Sequence, residues 1–395
     1  MADQIATELP RDRPDSSRLQ VRGKLRDGWL GLRNRLLASS RFQRLSGRFP
    51  LTRPIARKRA QALFDLCSGF VYSQVLYACV ELRLLEAVKK RPCGRAELAR
   101  MLALEPDRAK LLFDAAAALE LLEERGGEAY GLGPLGAVLV GNPGIRALIG
   151  HHAMFYEDLR DPIALLRGEA GTTRLADYWP YAGGSSGAGA AADLSADRVG
   201  AYSELMAQSQ NLIAGEVLDA YSLRQHRLLL DVGGGAGAFL AEAAARWPRL
   251  RLQLFDLPAV VERAGQFMAA AGLASRFESR GGDFFADPLP SGADIVSLVR
   301  IIHDHGDGDV LRLLRSIRGI LPGDGALLLA EPMAGDKATD RMARAYFGFY
   351  LLAMGKGRPR TPDEIGDLLR RAGFSEVRLL ANRMPMQTRI MVAKP

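Results

Sequence analysis

The apolar positions of this chain change their period part-way along it. From Ala60 to about Val88 they recur largely at three and four, through Phe64, Phe70, Val71, Val75, Leu76, Val80, Leu84 and Leu85, the spacing of a helix face. Residues 95–102 and 107–119 predict two further helices, and the polar stretch Glu123 to Tyr130 a turn within a short hairpin. Helical spacing continues from Ile145 to about Leu166, around His151, His152, Phe155 and Tyr156, and resumes from Arg198 to Ala220 beyond a loop of small residues at 183–192.

Beyond residue 220 short apolar runs take over, at Leu228 to Val232, Leu252 to Phe255, Phe277 to Ser279, Ile295 to Ile301 and Ala326 to Ala330. Helical segments separate most of them, at Ala238 to Trp247, Ala259 to Ala271 and Asp309 to Leu321. Such alternation predicts an α/β doubly wound, Rossmann-like sheet, parallel and covered on both faces. Thr361-Pro-Asp-Glu364 starts one more helix with a threonine cap, proline at the first position and glutamate at the third. Two extended runs, Val377 to Leu380 and Thr388 to Ala393, follow with only seven residues between them, which suits an antiparallel hairpin. The expected division is a basic arm at 1–59, a helical winged-helix-like domain at 60–220 and a sheet domain at 221–395.

Candidate chemistry gathers at the predicted strand tips, where a doubly wound sheet binds its ligands. The first strand ends at Asp231-Val-Gly233-Gly234-Gly235-Ala-Gly237, a turn whose amides face whatever sits over the next helix start. Gly233, Gly235 and Ala238 satisfy the dinucleotide fingerprint in its alanine form, whereas an acid at Asp231 suits a cationic ligand such as S-adenosylmethionine. Asp256, at the second tip, is placed to accept from ribose hydroxyls. Asp283 and Phe284 offer an acceptor beside an aromatic face suited to adenine, and the next two tips hold Arg300 to Asp304 and Glu331.

Of five histidines, His303 alone follows an apolar strand directly at this edge. A hydroxyl that accepts a methyl group must lose its proton, and a neutral imidazole is the usual taker. Glu331 or Asp304 could hold one ring nitrogen so that the other faces the substrate. His303, His305 and Asp307 share one loop with no distant fourth ligand, so no metal is expected.

Composition adds one feature. With 48% hydrophobic and 25% charged residues the chain is ordinary globular protein, but its net charge of +8 is concentrated in the first 60 residues, where 15 Arg and Lys face five acids. Between Arg22 and Arg59 those charges interleave with Trp29, Leu30, Leu32, Leu36, Leu37, Phe42, Leu45 and Phe49. This is a basic amphipathic stretch, suited to an anionic membrane surface or to packing on a dimer partner. No apolar run of the roughly 18 to 20 residues needed for a membrane span is apparent, and no secretory signal, so a cytoplasmic protein is expected, with peripheral contact on the inner membrane through the arm. Cys67, Cys79 and Cys93 suit buried thiols. The last helix of the winged-helix pattern is alanine-rich and charge-balanced, which favours dimerisation over nucleic-acid binding.

Taken together, Asp231-Val-Gly-Gly-Gly-Ala-Gly, Phe255-Asp-Leu-Pro258, Gly282-Asp-Phe-Phe285, His303-Asp304 and Glu331-Pro332 resemble the S-adenosylmethionine-dependent O-methyltransferases of the caffeate and acetylserotonin type, over roughly residues 60–395. Within that family the stretch Ala60 to Val80, preceded by a basic arm, looks most like the branch from purple photosynthetic bacteria that methylates the tertiary 1-hydroxyl of acyclic carotenoids such as demethylspheroidene and hydroxyneurosporene. The resemblance implies a homodimer through the N-terminal helices, His303 as base, Glu331 as its orienter, and cofactor contacts from Asp231, Gly233, Asp256, Asp283, Phe284 and Arg300.

There are two departures: His305 stands where relatives carry tryptophan, and Gly357-Arg-Pro359-Arg-Thr361 has proline where relatives place a second flanking glutamate. Asp304 is a candidate to compensate. A lipophilic acceptor would be lined by Met154, Phe155, Tyr156, Met206, Met342, Tyr346, Phe347, Phe349, Tyr350, Leu351 and Met354. The rival readings are a nicotinamide dehydrogenase and a winged-helix regulator. Some 220 mostly helical residues before the glycines disfavour the first, and the intact acid and histidine set disfavours the second.

Overall fold

The computed structural model describes residues 16–178, 213–335, 339 and 341–395. It packs as two units, Met1–Val75 and Leu76–Pro395.

The first unit holds α1 (Ser16–Ala38), α2 (Ser40–Arg48) and most of α3 (Arg53–Glu81). The Ser39 hydroxyl starts α2 by accepting from the Phe42 amide. At 100° per residue α2 sets Phe42 and Leu45 on one side and Arg41, Arg44 and Arg48 on the other, whereas α1 intermixes Trp29, Leu32 and Leu36 with Arg26, Arg33 and Arg35. The amphipathic character expected from Arg22 to Arg59 is therefore confined, in these first two helices, to α2. In α3 a second expectation needs correction. Asp65 is the one charge between Ala60 and Val80, and an 18-residue stretch of this helix, with a mean hydropathy of 1.4, is long and apolar enough to cross a membrane by length and composition. Scattered Gln and Ser break the run to the eye without lowering its average. Leu63, Phe64, Leu66, Phe70 and Val71 are exposed on it.

In the second unit Arg83, at φ 54°, ends the helical ladder and α4 (Leu84–Val88) begins afresh, so the single helix expected from Ala60 to Val88 is two. β1 (Cys93–Gly94), α5 (Arg95–Met101), α6 (Pro106–Ala118), β2 (Leu122–Arg125) and β3 (Ala129–Leu132) form a helical layer with a small sheet in the order β1-β3-β2. Next come α7 (Pro134–Val140), α8 (Pro143–Asp158), α9 (Pro162–Arg167) and α10 (Arg174–Tyr178). Asp161 Oδ1 caps α9 by accepting from Ile163 and Ala164, and Pro162 at its first position fixes the break, which divides the helix expected from Ile145 to Leu166. Helix α11 covers 213–220. The loop expected at 183–192, the first half of the helix expected from Arg198, and Met206 lie outside the described residues.

The sheet domain is built from β4 (Leu228–Val232), α12 (Ala238–Arg246), β5 (Arg251–Asp256), α13 (Pro258–Ala270), β6 (Phe277–Gly281), β7 (Ile295–Val299), α14 (Asp307–Ile320) and β8 (Ala326–Glu331). A π-helical turn (Arg341–Phe347) runs into α15 (Gly348–Met354), and α16 (Pro362–Arg371), β9 (Glu376–Leu380) and β10 (Arg389–Lys394) complete it. The strand order is β6-β5-β4-β7-β8-β10-β9. The first five are parallel, and β10 lies between β8 and β9, antiparallel to both. Alternation along each strand feeds two cores. Leu230, Val296, Leu298, Leu327 and Leu329 join α14 and α16 on one face, while Leu229, Ile295, Leu328 and Ala330 join α11, α12 and α13 on the other. β7 stops at Val299, two residues short of expectation, because Arg300 takes φ 60° and turns the chain out of the sheet.

Candidate active site

Every parallel strand of β4, β5, β7 and β8 delivers its carboxyl end to one edge, and the polar groups anticipated there converge. The glycine turn after Asp231 is left-handed at Gly233 (φ 72°), Gly235 (φ 58°) and Gly237 (φ 83°), which only glycine adopts at little cost. Its amides are committed in part: Gly233 donates to the Phe255 carbonyl at 2.8 Å and Gly235 to Asp256 Oδ2 at 2.8 Å. Asp256 Oδ1 accepts from Leu257 at 2.7 Å, so its buried carboxylate is held firmly against the turn. Phe284 and Ile301 close over Gly233, whose missing Cβ would lie 3.7 and 2.6 Å from them. Asp283 Oδ1 accepts from the Phe285 amide, which fixes the Phe284 loop.

Asp231 tests what this turn can hold. It is buried, with Oδ1 accepting from the Ser297 hydroxyl at 2.6 Å and Oδ2 without a hydrogen-bond partner among the described residues. Burial pushes its pKa up to about 7, against the pull of that hydroxyl and with a further push from Asp256. An orphaned carboxylate oxygen beneath a glycine turn fits a cation, as an ammonium or sulfonium group supplies, and fits a pyrophosphate poorly.

At the next two tips the candidate acid–base groups meet. Nδ1 of His303 lies 2.6 Å from Glu331 Oε2, and Glu331 Oε1 accepts from the amides of Ile301 and Ile302 at 2.9 and 2.8 Å. One carboxylate thus orients both the ring and the 3₁₀ turn Ile302–Asp304 that carries it. Asp304 Oδ1 sits 3.1 Å from Nε2 of the same ring. All three groups are buried. Burial works against an imidazolium here, but Asp304 and Glu331 outweigh it and hold the His303 pKa above the ordinary value of 6.5. Burial raises the Asp304 carboxyl to about 6, against the attraction of His303. Arg300, strained at φ 60°, opposes protonation of His303 from close by.

Above the centre lies an aromatic wall. Phe347 meets His303 edge-on with ring centroids 6.1 Å apart, and Tyr346 and Tyr350 stack beyond it. Met154, Tyr346, Phe349 and Tyr350 pack against Phe155, Leu165, Leu175, Leu351 and Met354. Tyr156 meets Tyr77 and His152 edge-on. Of the lining expected from sequence, Met154, Tyr346 and Tyr350 come together, Tyr156 flanks them, and Met206 lies outside the described residues.

Sequence reading did not anticipate the contacts of four residues, His151, His152, His305 and Arg360. His151 Nε2 pairs with the Tyr350 hydroxyl at 2.8 Å and His152 Nε2 with that of Tyr346 at 2.7 Å, polar rungs within the apolar wall. Burial, with His152 and Arg300 adding, lowers His151 to about 4. Two adjacent histidines in an apolar helix were the available signal. His305 lies edge-on to Phe284 and Phe285, at 5.7 and 4.8 Å, and burial lowers it to about 4, so a neutral ring backs the Phe284 face. Arg360 is fully buried beside the catalytic turn, signalled only by its place before the capped start of α16.

A family model described as the O-methyltransferase domain matches residues 156–375, and one described as the O-methyltransferase dimerisation domain matches 64–142. Demethylspheroidene O-methyltransferase of Cereibacter sphaeroides is 44% identical over 361 residues, 91% of this chain and 94% of the relative. Acetylserotonin O-methyltransferase of Mus musculus is 34% identical over 345 residues, 82% of this chain and 86% of its own. Among solved structures, human N-acetylserotonin methyltransferase in complex with S-adenosylmethionine superposes with a TM-score of 0.70 at 25% identity, covering 85% of this chain and 97% of that one.

Proposed function

The chain belongs to the S-adenosylmethionine-dependent O-methyltransferases, and from that premise we propose that its acceptor is the tertiary 1-hydroxyl of an acyclic hydroxycarotenoid, with His303 as general base. The observation that carries the substrate is the likeness to demethylspheroidene O-methyltransferases of Cereibacter sphaeroides and Rhodobacter capsulatus, 44% and 40% identical over 91% of the chain. The aromatic wall of Phe347, Tyr346 and Tyr350 beside His303 supports it, because a polyene end needs an apolar lining.

The Asp231 turn, Asp256, Asp283, Phe284 and Arg300 would hold S-adenosylmethionine, which when bound would supply the activated methyl group. The protein's own work is to place and deprotonate the acceptor oxygen. Glu331 fixes Nδ1 of His303, leaving Nε2 to take the hydroxyl proton as the acceptor oxygen displaces the sulfonium sulfur at the methyl carbon, the electron pair of the broken carbon–sulfur bond staying on sulfur as a neutral thioether. Asp304, already beside Nε2, then accepts from the imidazolium so formed, standing in for the glutamate that Pro359 replaces. General base catalysis contributes roughly a hundred- to ten-thousand-fold. Alignment of oxygen, carbon and sulfur by the apolar wall can add roughly 7 to 11 kcal/mol as effective molarity.

The dimerisation match at 64–142 supports a homodimer and accounts for exposed Phe64, Phe70 and Val71. Exposed Trp29, Leu36, Phe42, Leu45, Phe49, Leu51 and Ile55 lie upstream of it, among basic residues. We assign this arm to peripheral contact with an anionic membrane from the cytoplasmic side, where a lipophilic acceptor resides. The test of function is transfer of labelled methyl from S-adenosylmethionine to a 1-hydroxycarotenoid in detergent, by wild type and by His303→Ala. Label lost with the mutation supports the reading. Cofactor binding without transfer would redirect it to phenolic acceptors. For the arm, deletion of residues 1–55 is expected to abolish binding to anionic liposomes, and unchanged binding would refute the assignment.

A further inference from the structure

Residues 357–361 form a strap that holds the backbone of the turn carrying His303 and meets the chain three residues beyond Glu331. Arg360 sends Nη1 to the Ile302 carbonyl at 2.6 Å and Nη2 to that of His305 at 2.7 Å, while Nε and Nη2 hold Asp307 Oδ1 at 2.9 and 2.7 Å. The Arg358 amide donates to the His303 carbonyl itself at 2.9 Å. Three carbonyls of the catalytic turn are thus fixed from one five-residue segment. On its other side the Arg360 carbonyl accepts from Ala334 at 3.0 Å, three residues beyond Glu331. Gly357 makes the approach possible: at φ 83° its missing Cβ would lie 2.0 Å from the His303 carbonyl oxygen. The far end is anchored by the capping box of Thr361 and Glu364, with Arg358 bridging Glu364 and Asp307.

A guanidinium is a costly group to bury, and a lysine could not span these acceptors in one plane. We infer that Arg360 is a positioning residue for the base: its fork sets the height and tilt of the turn that presents His303 to Glu331. The inference rests on His303 acting as proposed above. The strap braces the backbone beneath the histidine, whose ring is held separately by Glu331 and Asp304.

The test reads the pair directly by NMR, without any acceptor, and sets turnover beside it. In protein labelled with ¹⁵N-histidine, the Nδ1 proton shared with Glu331 gives a downfield resonance, assigned by its loss in His303→Ala. Arg360→Lys is expected to displace or broaden it and to lower kcat by roughly 10- to 100-fold, as a misplacement of about 1 Å does. Affinity for S-adenosylmethionine should stay within about threefold. Asp307→Asn, which loosens the guanidinium from its half-exposed end, is the second variant and should move the same resonance less. A resonance unmoved in both variants would overturn the inference, as would a kcat that falls only in step with cofactor affinity and melting temperature. Failure of the carotenoid assay with the resonance behaving as described would instead remove the substrate reading alone.

Discussion

Asp304 and Glu331 lie on opposite nitrogens of one imidazole: Oδ1 of Asp304 is 3.1 Å from Nε2 of His303, and Oε2 of Glu331 is 2.6 Å from Nδ1. Two carboxylates therefore share the ring without sharing a site on it. Glu331 settles which way the ring faces, and Asp304 shares the nitrogen that an acceptor hydroxyl must reach. Four predictions follow from this centre and its surroundings.

Asp304→Asn removes the charge that meets the imidazolium but keeps an oxygen in place. We expect kcat to fall by roughly 10- to 100-fold, the worth of a hydrogen bond to a charged group, with cofactor affinity within about threefold. Titration calorimetry beside steady-state kinetics checks it. Equal loss of both quantities would mean that Asp304 supports the fold and not the base.

The pH profile carries a sign. A base works only when neutral, and the His303 pKa is raised, burial being outweighed by Asp304 and Glu331. Methyl transfer should therefore fall away on the acid side through a pKa above 6.5. Glu331→Gln should move that limb toward lower pH and lower the plateau by roughly a hundred- to ten-thousand-fold. An acid limb that stays in place in this variant would argue against His303 as the titrating group.

Asp231 predicts a proton released on cofactor binding. Raised by burial to about 7, it is partly protonated at neutral pH, and a cationic ligand favours the ionised form. Affinity should tighten as pH rises toward and through 7 and level off above. Calorimetry at pH 6.5 in two buffers of different ionisation enthalpy counts the proton. Asp231→Asn should abolish the release and weaken binding by roughly 10- to 100-fold.

Tyr346→Phe strips His152 Nε2 of its partner inside the wall. Leaving this half-buried nitrogen without its partner costs up to about 1 kcal/mol, which urea denaturation would register as a lower midpoint at unchanged slope. A double-mutant cycle with His152→Phe should recover part of that loss.

How much of this was legible in sequence follows from which contacts are local. His303, Glu331, Asp231 and Asp256 were readable because each lies at or just beyond a strand's carboxyl end, and a doubly wound topology sends those ends to one edge whatever the loops do. The wall of Tyr346 and Tyr350 was readable as apolar spacing, but its rungs to His152 and His151 span 194 and 199 positions, and nothing in local composition pairs them. Asp304 was anticipated beside His303, yet its side of the ring depends on a 3₁₀ turn that propensity does not specify. Arg360 reaches the catalytic turn over 58 positions, and its neighbour Pro359 drew attention to a missing carboxylate in place of the guanidinium. Helix ends at Arg83 and Pro162 were lost because apolar periodicity runs through a break of two or three residues.

The place of β10 also orders events in time. It pairs Arg389 with Glu331 and lies between β8 and β9, so the strand that bears the orienting carboxylate has an open flank until residues 389–394 have been made. The glycine turn and Asp256 can assemble from far earlier in synthesis. Once those residues are made, β10 pairs with β8 and β9 together and covers the flank of the strand that bears the orienting carboxylate.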